Sequence, residues 1–318
     1  MKRILVTGSL GQIGSELVIE LRKKYGIDNV IATGRRKPIN NPVVDDGIYE
    51  LLDVNDYDEF LRLAQKYQVN VIIHLAAVLS AKAEENPLAS WHINMDTLLN
   101  ALEVSRITNS MLFTCSSIGA FGPNSPKDHT PQDTIMRPTT MYGITKVAQE
   151  LLCDYYFLKY NVDTRSVRFP GLISNVTKPG GGTTDYAVHI YYDALEKGKY
   201  TSFIDKNTYL DMMYMPDAIK CIIDLIEADA NKLIHRNAYN VSAMSIEPEM
   251  IATSIKKHLP NFVLDYEVDP IRQNIANSWP NSLDTSIAKK EWNFSYQYDL
   301  DKMTSDMLKV LQNKKGCK

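Results

Sequence analysis

A parallel, doubly wound α/β sheet is the fold the sequence predicts. Short, almost purely apolar runs alternate with segments of helical spacing through the first 170 residues, and a glycine-spaced turn directly follows the first run. Strand–helix alternation of this kind builds parallel sheets. Apolar runs without polar alternation fit strands covered on both faces.

In chain order, Ile4-Leu5-Val6 is a β run ended by Thr7-Gly8, and Ile13 to Lys24 has helical spacing. Asn29 to Thr33 is the second strand, Asp56 to Tyr67 a helix, and Val69 to Leu75 a buried strand. Met95 to Arg106 reads as a helix, Met111 to Cys115 as a strand, Tyr142 to Tyr160 as a long helix and Asp163 to Phe169 as a further strand. After Pro170-Gly171 the texture changes to a glycine-rich loop, Lys178 to Thr184, and mixed short elements. The expected division is therefore a dinucleotide-binding region, 1–170, and a smaller α/β substrate lobe, 171–318, with 212–242 packing back on the first. A helix from Asp217 to Glu227, capped by Asp217, and a strand at Tyr239-Asn240-Val241 belong to that returning segment.

The bulk numbers exclude several classes. The chain has 318 residues, 44% hydrophobic and 23% charged, with a net charge of -3, which gives no electrostatic reason to bind nucleic acid or an anionic membrane. No stretch reaches the roughly 18 apolar residues of a membrane span. The N-terminus runs at once into the first strand, so a cytoplasmic location is expected. Cys115, Cys153, Cys221 and Cys317 are scattered, and the six histidines show no HExxH or HxH spacing. No disulfide framework or metal is expected, and a zinc-dependent alcohol oxidation lacks its ligands.

Gly8-Ser-Leu-Gly11-Gln-Ile-Gly14 follows a strand and opens a helix. In that context the glycines permit a tight turn, approach of backbone to a pyrophosphate and close helix packing, and the helix N-terminus offers unpaired N–H groups. This is the dinucleotide fingerprint of a Rossmann-type sheet, and Gln12 and Ile13 fall in the same turn. The end of the second strand normally carries a carboxylate that holds the adenosine ribose and repels a 2′-phosphate. Here it reads Thr33-Gly34-Arg35-Arg36, without an acid, which favours NADP because guanidinium pairs well with phosphate; Arg35 and Arg36 as solvated surface charges is the plainer alternative. Further along, Asp53, followed by Val54, could meet the adenine.

Tyr142-Gly-Ile-Thr-Lys146 places a phenol and an ammonium four residues apart, on one helical face. A neighbouring Lys⁺ and the positive ring of a bound nicotinamide draw a phenol, ordinarily near about 10, toward working pH. Ser116-Ser117, at the end of the strand that begins at Met111, supplies a hydroxyl to orient an alcohol. Asn94, at an expected helix start, could serve a proton relay or be a capping residue. Trp279 and Trp292 read as core, Asp284 as a helix cap, and the Tyr155-Tyr156 and Tyr191-Tyr192 pairs as packing or interface residues.

Taken together, the glycine pattern, Asp53, His74-Leu75-Ala76-Ala77, Ser116-Ser117, Tyr142/Lys146 and Arg168-Phe169-Pro170-Gly171 resemble the extended short-chain dehydrogenase/reductase superfamily. Within it, Ile135-Met-Arg-Pro-Thr-Thr-Met-Tyr-Gly143, Pro179-Gly-Gly-Gly-Thr-Thr-Asp-Tyr-Ala187, Met212-Met-Tyr-Met-Pro-Asp217 and Ile275-Ala-Asn-Ser-Trp-Pro280 resemble short-chain-type L-threonine 3-dehydrogenases across essentially the whole chain. The resemblance implies NAD-dependent oxidation of the C3 hydroxyl of L-threonine to L-2-amino-3-oxobutyrate. It implies Tyr142 as base, Lys146 as its pKa partner and nicotinamide-ribose ligand, and Ser117 as the alcohol-orienting residue. Ser80, Gly182, Thr183, Thr184 and Asp185 would contact the substrate, Asp185 taking its ammonium. Leu75, Ala76, Ala77, Asn94, Ser116 and Phe169 would join the cofactor contacts. A homodimer through the long helix that carries Tyr142 and Tyr156 is also implied. The family's second strand usually ends in Asp, whereas this chain has Gly34; whole-chain resemblance favours NAD, and the local chemistry leaves NADP open. The rival readings are a nucleotide-sugar epimerase or dehydratase on the same scaffold and a non-catalytic dinucleotide sensor.

Overall fold

Residues 2–178 and 180–316 are described by a computed structural model. Pro179 of the glycine-rich segment and Cys317 lie outside the described residues. From the N-terminus the elements are β1 (Ile4–Thr7), α1 (Gln12–Tyr25), β2 (Val30–Gly34), α2 (Pro42–Asp45), β3 (Tyr49–Leu51), α3 (Tyr57–Lys66), β4 (Val71–His74), α4 (Ser80–Glu85), α5 (Pro87–Thr108), β5 (Met111–Ser117), α6 (Met141–Tyr160) and β6 (Thr164–Phe169). They continue with β7 (Gly171–Ile173), α7 (Tyr186–Lys197), β8 (Lys199–Ser202), β9 (Leu210–Tyr214), α8 (Met215–Glu227), β10 (Tyr239–Asn240), β11 (Met244–Ile246), α9 (Pro248–Lys256), β12 (Val263–Tyr266), α10 (Pro270–Ser278), α11 (Ser286–Trp292) and α12 (Leu300–Gly316).

Seven parallel strands form the central Rossmann-type sheet in the order β10-β6-β5-β4-β1-β2-β3. Chain order reverses between β1 and β4, where Thr7 pairs with His74. Ligand crevices open at such switch points, outside the carboxyl ends of the strands. Both faces are covered, as the apolar runs predict. Ile4 and Val6 pack with Leu17 and Leu21 of α1 and with Ile222 of α8, while Leu5 between them packs with Phe60 of α3 and Leu98 of α5. The alternation is the two-residue period of a strand. A third core joins Tyr186 and Tyr191 of α7 to Met303 and Met307 of α12, alongside the smaller β11-β9-β7 and β12-β8 sheets. Residues 212–242 contribute α8 to the first core and β10 to the main sheet beside β6.

Three local expectations are corrected. α5 starts at Pro87, capped by the Asn86 side chain and with proline in its first turn, so Asn94 stands inside the helix and not at its start. α8 begins at Met215, and the Asp217 carboxylate accepts instead from the backbone N–H groups of Gln297 and Tyr298, tying the helix to the C-terminal segment. Short β3, with no fully buried residue, gives no apolar run to read in sequence. Asp284 takes the Ser286 N–H at 2.8 Å, a position ahead of the residue at the formal cap, Thr285.

Candidate active site

At the switch point the β1–α1 turn is shaped by glycine. Gly8 sits at φ +64°, and a Cβ there would come within 2.8 Å of the Ala76 nitrogen. A Cβ on Gly14 would stand 2.3 Å from the Gly8 carbonyl oxygen, so only glycine lets α1 seat on the turn. Gly11 is the N-cap of α1 and offers no side-chain cap, and the first turn has no acid, leaving its N–H groups and positive dipole end for an anion.

This turn forms one wall of a cleft with room for about 260 Å³ of water-accessible space. Gly8, Gly11, Gln12, Ile13, Gly14, Leu75, Ala76, Ala77, Asn94, Ser116, Tyr142, Lys146 and Phe169 line it, and so do Ser80, Ser117, Gly182, Thr183, Thr184 and Asp185. Arg35, Asp53 and Val54 do not line it. Arg35 is exposed beyond β2; the Asp53 carboxylate accepts from Asn55 N and Nδ2, and the Val54 carbonyl accepts from Asn100. Two buried polar atoms in the wall, Gln12 Nε2 and Thr183 Oγ1, have no partner among the described residues. Orphaned groups of this kind call for a ligand or water, and with the glycine cradle and the bare helix end they fit a dinucleotide and a polar substrate.

Tyr142 lies in the first turn of α6, which the Thr140 side chain caps through the Gly143 N–H at 3.1 Å. Lys146 stands one turn on, its Nζ 5.5 Å from the Tyr142 ring centre. The ammonium donates to the Cys115 carbonyl at 2.6 Å and to Gln149 Oε1 at 3.0 Å, and Gln149 in turn donates to Thr114 Oγ1 at 2.9 Å. Burial lowers the Lys146 pKa. Burial also pushes the Tyr142 phenol up to about 12, while a hydrogen bond from Ser117 works against that rise. Without a ligand, burial is the dominant effect and the phenol is neutral; the lowering expected from Lys146 and a nicotinamide ring together belongs to the cofactor-bound state.

Ser116 and Ser117 divide their roles. The Ser116 hydroxyl turns away to Glu150, which forms a bidentate, buried pair with Arg168. That pair ties α6 to β6 beneath the site. Ser117 keeps its hydroxyl at the phenol and accepts the Gly119 N–H at 3.1 Å. Asn94 accepts from Val78 N at 2.7 Å and reaches Thr145 Oγ1 at 3.3 Å, so it clamps the loop after β4 to α6. Asp185 Oδ2 accepts from the Gly181 and Gly182 N–H groups at 2.9 and 2.7 Å, so this oxygen shapes the loop; the substrate-ammonium role leaves only the other oxygen.

Sequence reasoning missed several wall residues. Trp279, read as core, is 5% exposed and lines the cleft, and its place in Asn-Ser-Trp-Pro was the available signal. His74 is wholly buried, and its pKa falls to about 3 because desolvation, then Lys146, disfavours its cation. The neutral ring bridges Thr7 Oγ1 at 2.9 Å and Thr97 Oγ1 at 3.3 Å. Since Thr97 donates its own proton to the Ile93 carbonyl, His74 Nε2 donates to Thr97 and Nδ1 accepts from Thr7. Gln149 and Cys115 also reach the wall. No group of three or more His, Cys, Asp or Glu side chains that could hold a metal occurs among the described residues.

A family model described as the NAD dependent epimerase/dehydratase family matches residues 4–242. The chain belongs to that family. Among family members with similar sequences is an uncharacterized epimerase/dehydratase of Staphylococcus haemolyticus, 58% identical over 99% of each chain. Solved structures similar to this epimerase/dehydratase family protein include L-threonine dehydrogenase from Clostridium difficile, 63% identical, covering 99% of this chain and 98% of that one with a TM-score of 0.97. A monomeric L-threonine 3-dehydrogenase from a metagenome is 43% identical, covering 98% and 99%, with a TM-score of 0.94. An oxidoreductase using a nicotinamide dinucleotide is what the family and these structures support.

Proposed function

We propose that the protein is an NAD-dependent L-threonine 3-dehydrogenase. The observation that carries the reading is the meeting, in one cleft, of the glycine turn, the Ser117–Tyr142–Lys146 group and the unpartnered Thr183 hydroxyl. The similar solved structures named L-threonine dehydrogenases support the substrate. When bound, NAD would accept the C3 hydride and bring a positive ring that helps ionise the phenol. Gly8, Gly11, Gly14 and the α1 N-terminus would hold its pyrophosphate, and Lys146 its nicotinamide ribose.

Ser117 and Tyr142 hydrogen-bond the C3 hydroxyl and fix its orientation. Tyr142 Oη takes the hydroxyl proton, and Lys146 stabilises the phenolate that must exist beforehand. The buried cleft strengthens that interaction because little water screens it. Thr183, Thr184 and Ser80 supply donors for the carboxylate, and the free oxygen of Asp185 an acceptor for the ammonium.

We also infer self-association through the exposed apolar face of α5 and α6, where Leu88, Leu151, Tyr155 and Leu158 are 73, 61, 50 and 80% exposed. Tyr156 does not belong to this face: it is buried between the helices and donates to Glu103 at 2.6 Å.

The test is absorbance at about 340 nm with NAD and L-threonine, its diastereomers, or UDP-sugars. Reduction of NAD with L-threonine alone supports the reading. Turnover of UDP-sugars with inert threonine would assign the chain to the epimerase side of its family.

A further inference from the structure

The end of β2 abuts the phosphate-binding turn. The Thr33 carbonyl accepts from Ser9 Oγ at 2.8 Å, and a Cβ built on Gly34 would stand 3.4 Å from Leu10 Cδ1. This is the corner where a carboxylate, when present, grips the adenosine ribose and repels a 2′-phosphate. Position 34 has no side chain, and its space is already taken. The Tyr49 hydroxyl would lie 2.4 Å from a Gly34 Cβ, and it donates to the Arg36 carbonyl at 2.5 Å. An acid at 34 and a tyrosine at 49 in this position are therefore mutually exclusive without movement.

Beyond the corner the chain runs Arg35-Arg36-Lys37, all exposed. None of the three has an ion-pair partner among the described residues, whereas Arg62, Arg106, Arg165, Arg168 and Arg236 are all paired. Asp53 spends Oδ1 on Asn55. Next in sequence to the position where the discriminating negative charge would stand, the chain thus carries two exposed guanidinium groups without ion-pair partners among the described residues. Guanidinium is the cation best matched to a phosphate, which it can hold with two parallel hydrogen bonds.

Building on the dinucleotide-binding reading above, we propose that Gly34, Arg35, Arg36 and Tyr49 form a 2′-phosphate subsite, so that the protein binds NADP as well as NAD. Tyr49 holds the Arg36 backbone and so fixes the path of the arginine pair past the ribose. Arg35 and Arg36 supply the charge.

Calorimetric titration with the adenosine halves of the two cofactors tests this without turnover. At low salt, 2′,5′-ADP is expected to bind about tenfold or more tightly than 5′-AMP, as a charge-assisted contact of ~1.4 kcal/mol or more requires. The advantage shrinks with added salt and disappears in the Arg35→Ala/Arg36→Ala protein, with 5′-AMP binding as the reference for an intact fold. Gly34→Asp combined with Tyr49→Phe, which removes the clashing hydroxyl, should reverse the preference. If 5′-AMP binds and 2′,5′-ADP binds no more tightly, or if the advantage survives loss of both arginines, the subsite is overturned while the dinucleotide reading stands. Equal binding of 3′,5′-ADP would overturn it too, by showing attraction of any dianion. Failure of both 5′-AMP and 2′,5′-ADP to bind overturns the subsite and the dinucleotide reading together.

Discussion

Replacing Lys146 by methionine removes a charge while keeping an unbranched side chain of similar length, and its consequence can be worked from one distance. The ammonium lies 5.5 Å from the Tyr142 ring centre. At an effective dielectric of about 20, a unit charge at that separation is worth about 3 kcal/mol to a phenolate, or about two pKa units. Burial, opposed by the Ser117 hydrogen bond, leaves the phenol at about 12 in the ligand-free protein, so ionisation near neutral pH needs the attraction of the ammonium together with the charge of the bound nicotinamide. Measured as kcat/KM for L-threonine from about pH 6 to 10, the Lys146→Met profile should shift its ascending limb upward by about two units. Well below that limb the rate should fall about 100-fold and recover about tenfold for each unit of pH. Cofactor affinity, read separately by fluorescence titration, lets the assay be run at saturation. A profile with an unmoved apparent pKa and a uniformly lower plateau would refute the argument and leave Lys146 as a cofactor ligand only.

Gly14→Ala places a methyl against the Gly8 carbonyl and should weaken dinucleotide binding by at least about tenfold, checked by calorimetry, since backbone must move. Thr183→Val keeps shape but removes the unpaired hydroxyl, and should raise KM for L-threonine about tenfold with cofactor Kd unchanged. His74 is held neutral down to about pH 3, while unfolded chains protonate it below about 6.5, so its contribution to stability is complete above pH 6.5 and lost as pH falls toward 3. Urea midpoints at pH 7 and 5 should therefore fall more for the native protein than for His74→Asn. Leu158→Glu on the exposed face of α6 should shift light-scattering mass toward the monomer; a native protein already monomeric would refute the self-association.

Much of the sheet was legible because its strands are near-continuous apolar runs. Ile4-Leu5-Val6 and Val71-Ile72-Ile73 leave little choice but burial on both faces. The turn was legible because steric need at Gly8 and Gly14 forces the residue type. What escaped depended on contacts distant in sequence. Asp217 has the local look of a cap, yet its partners are Gln297 and Tyr298, some 80 residues away. Ser116 and Ser117 are indistinguishable as letters, and only strand alternation against Glu150 separates them. Trp279 reads as core because a large aromatic is most often buried, and it is buried, at the wall of a cleft that no local pattern reveals. The phenol's upward pKa is likewise a property of desolvation, which sequence spacing does not report.

The most direct measurement follows the hydrogen on C3. With L-threonine deuterated at C3 and NAD as oxidant, the account predicts that the label appears in the reduced cofactor, one deuterium per turnover by mass spectrometry, with a 3-oxo amino acid product free of it. Reduced cofactor without deuterium, or label returned to the carbon skeleton after each cycle, would contradict it.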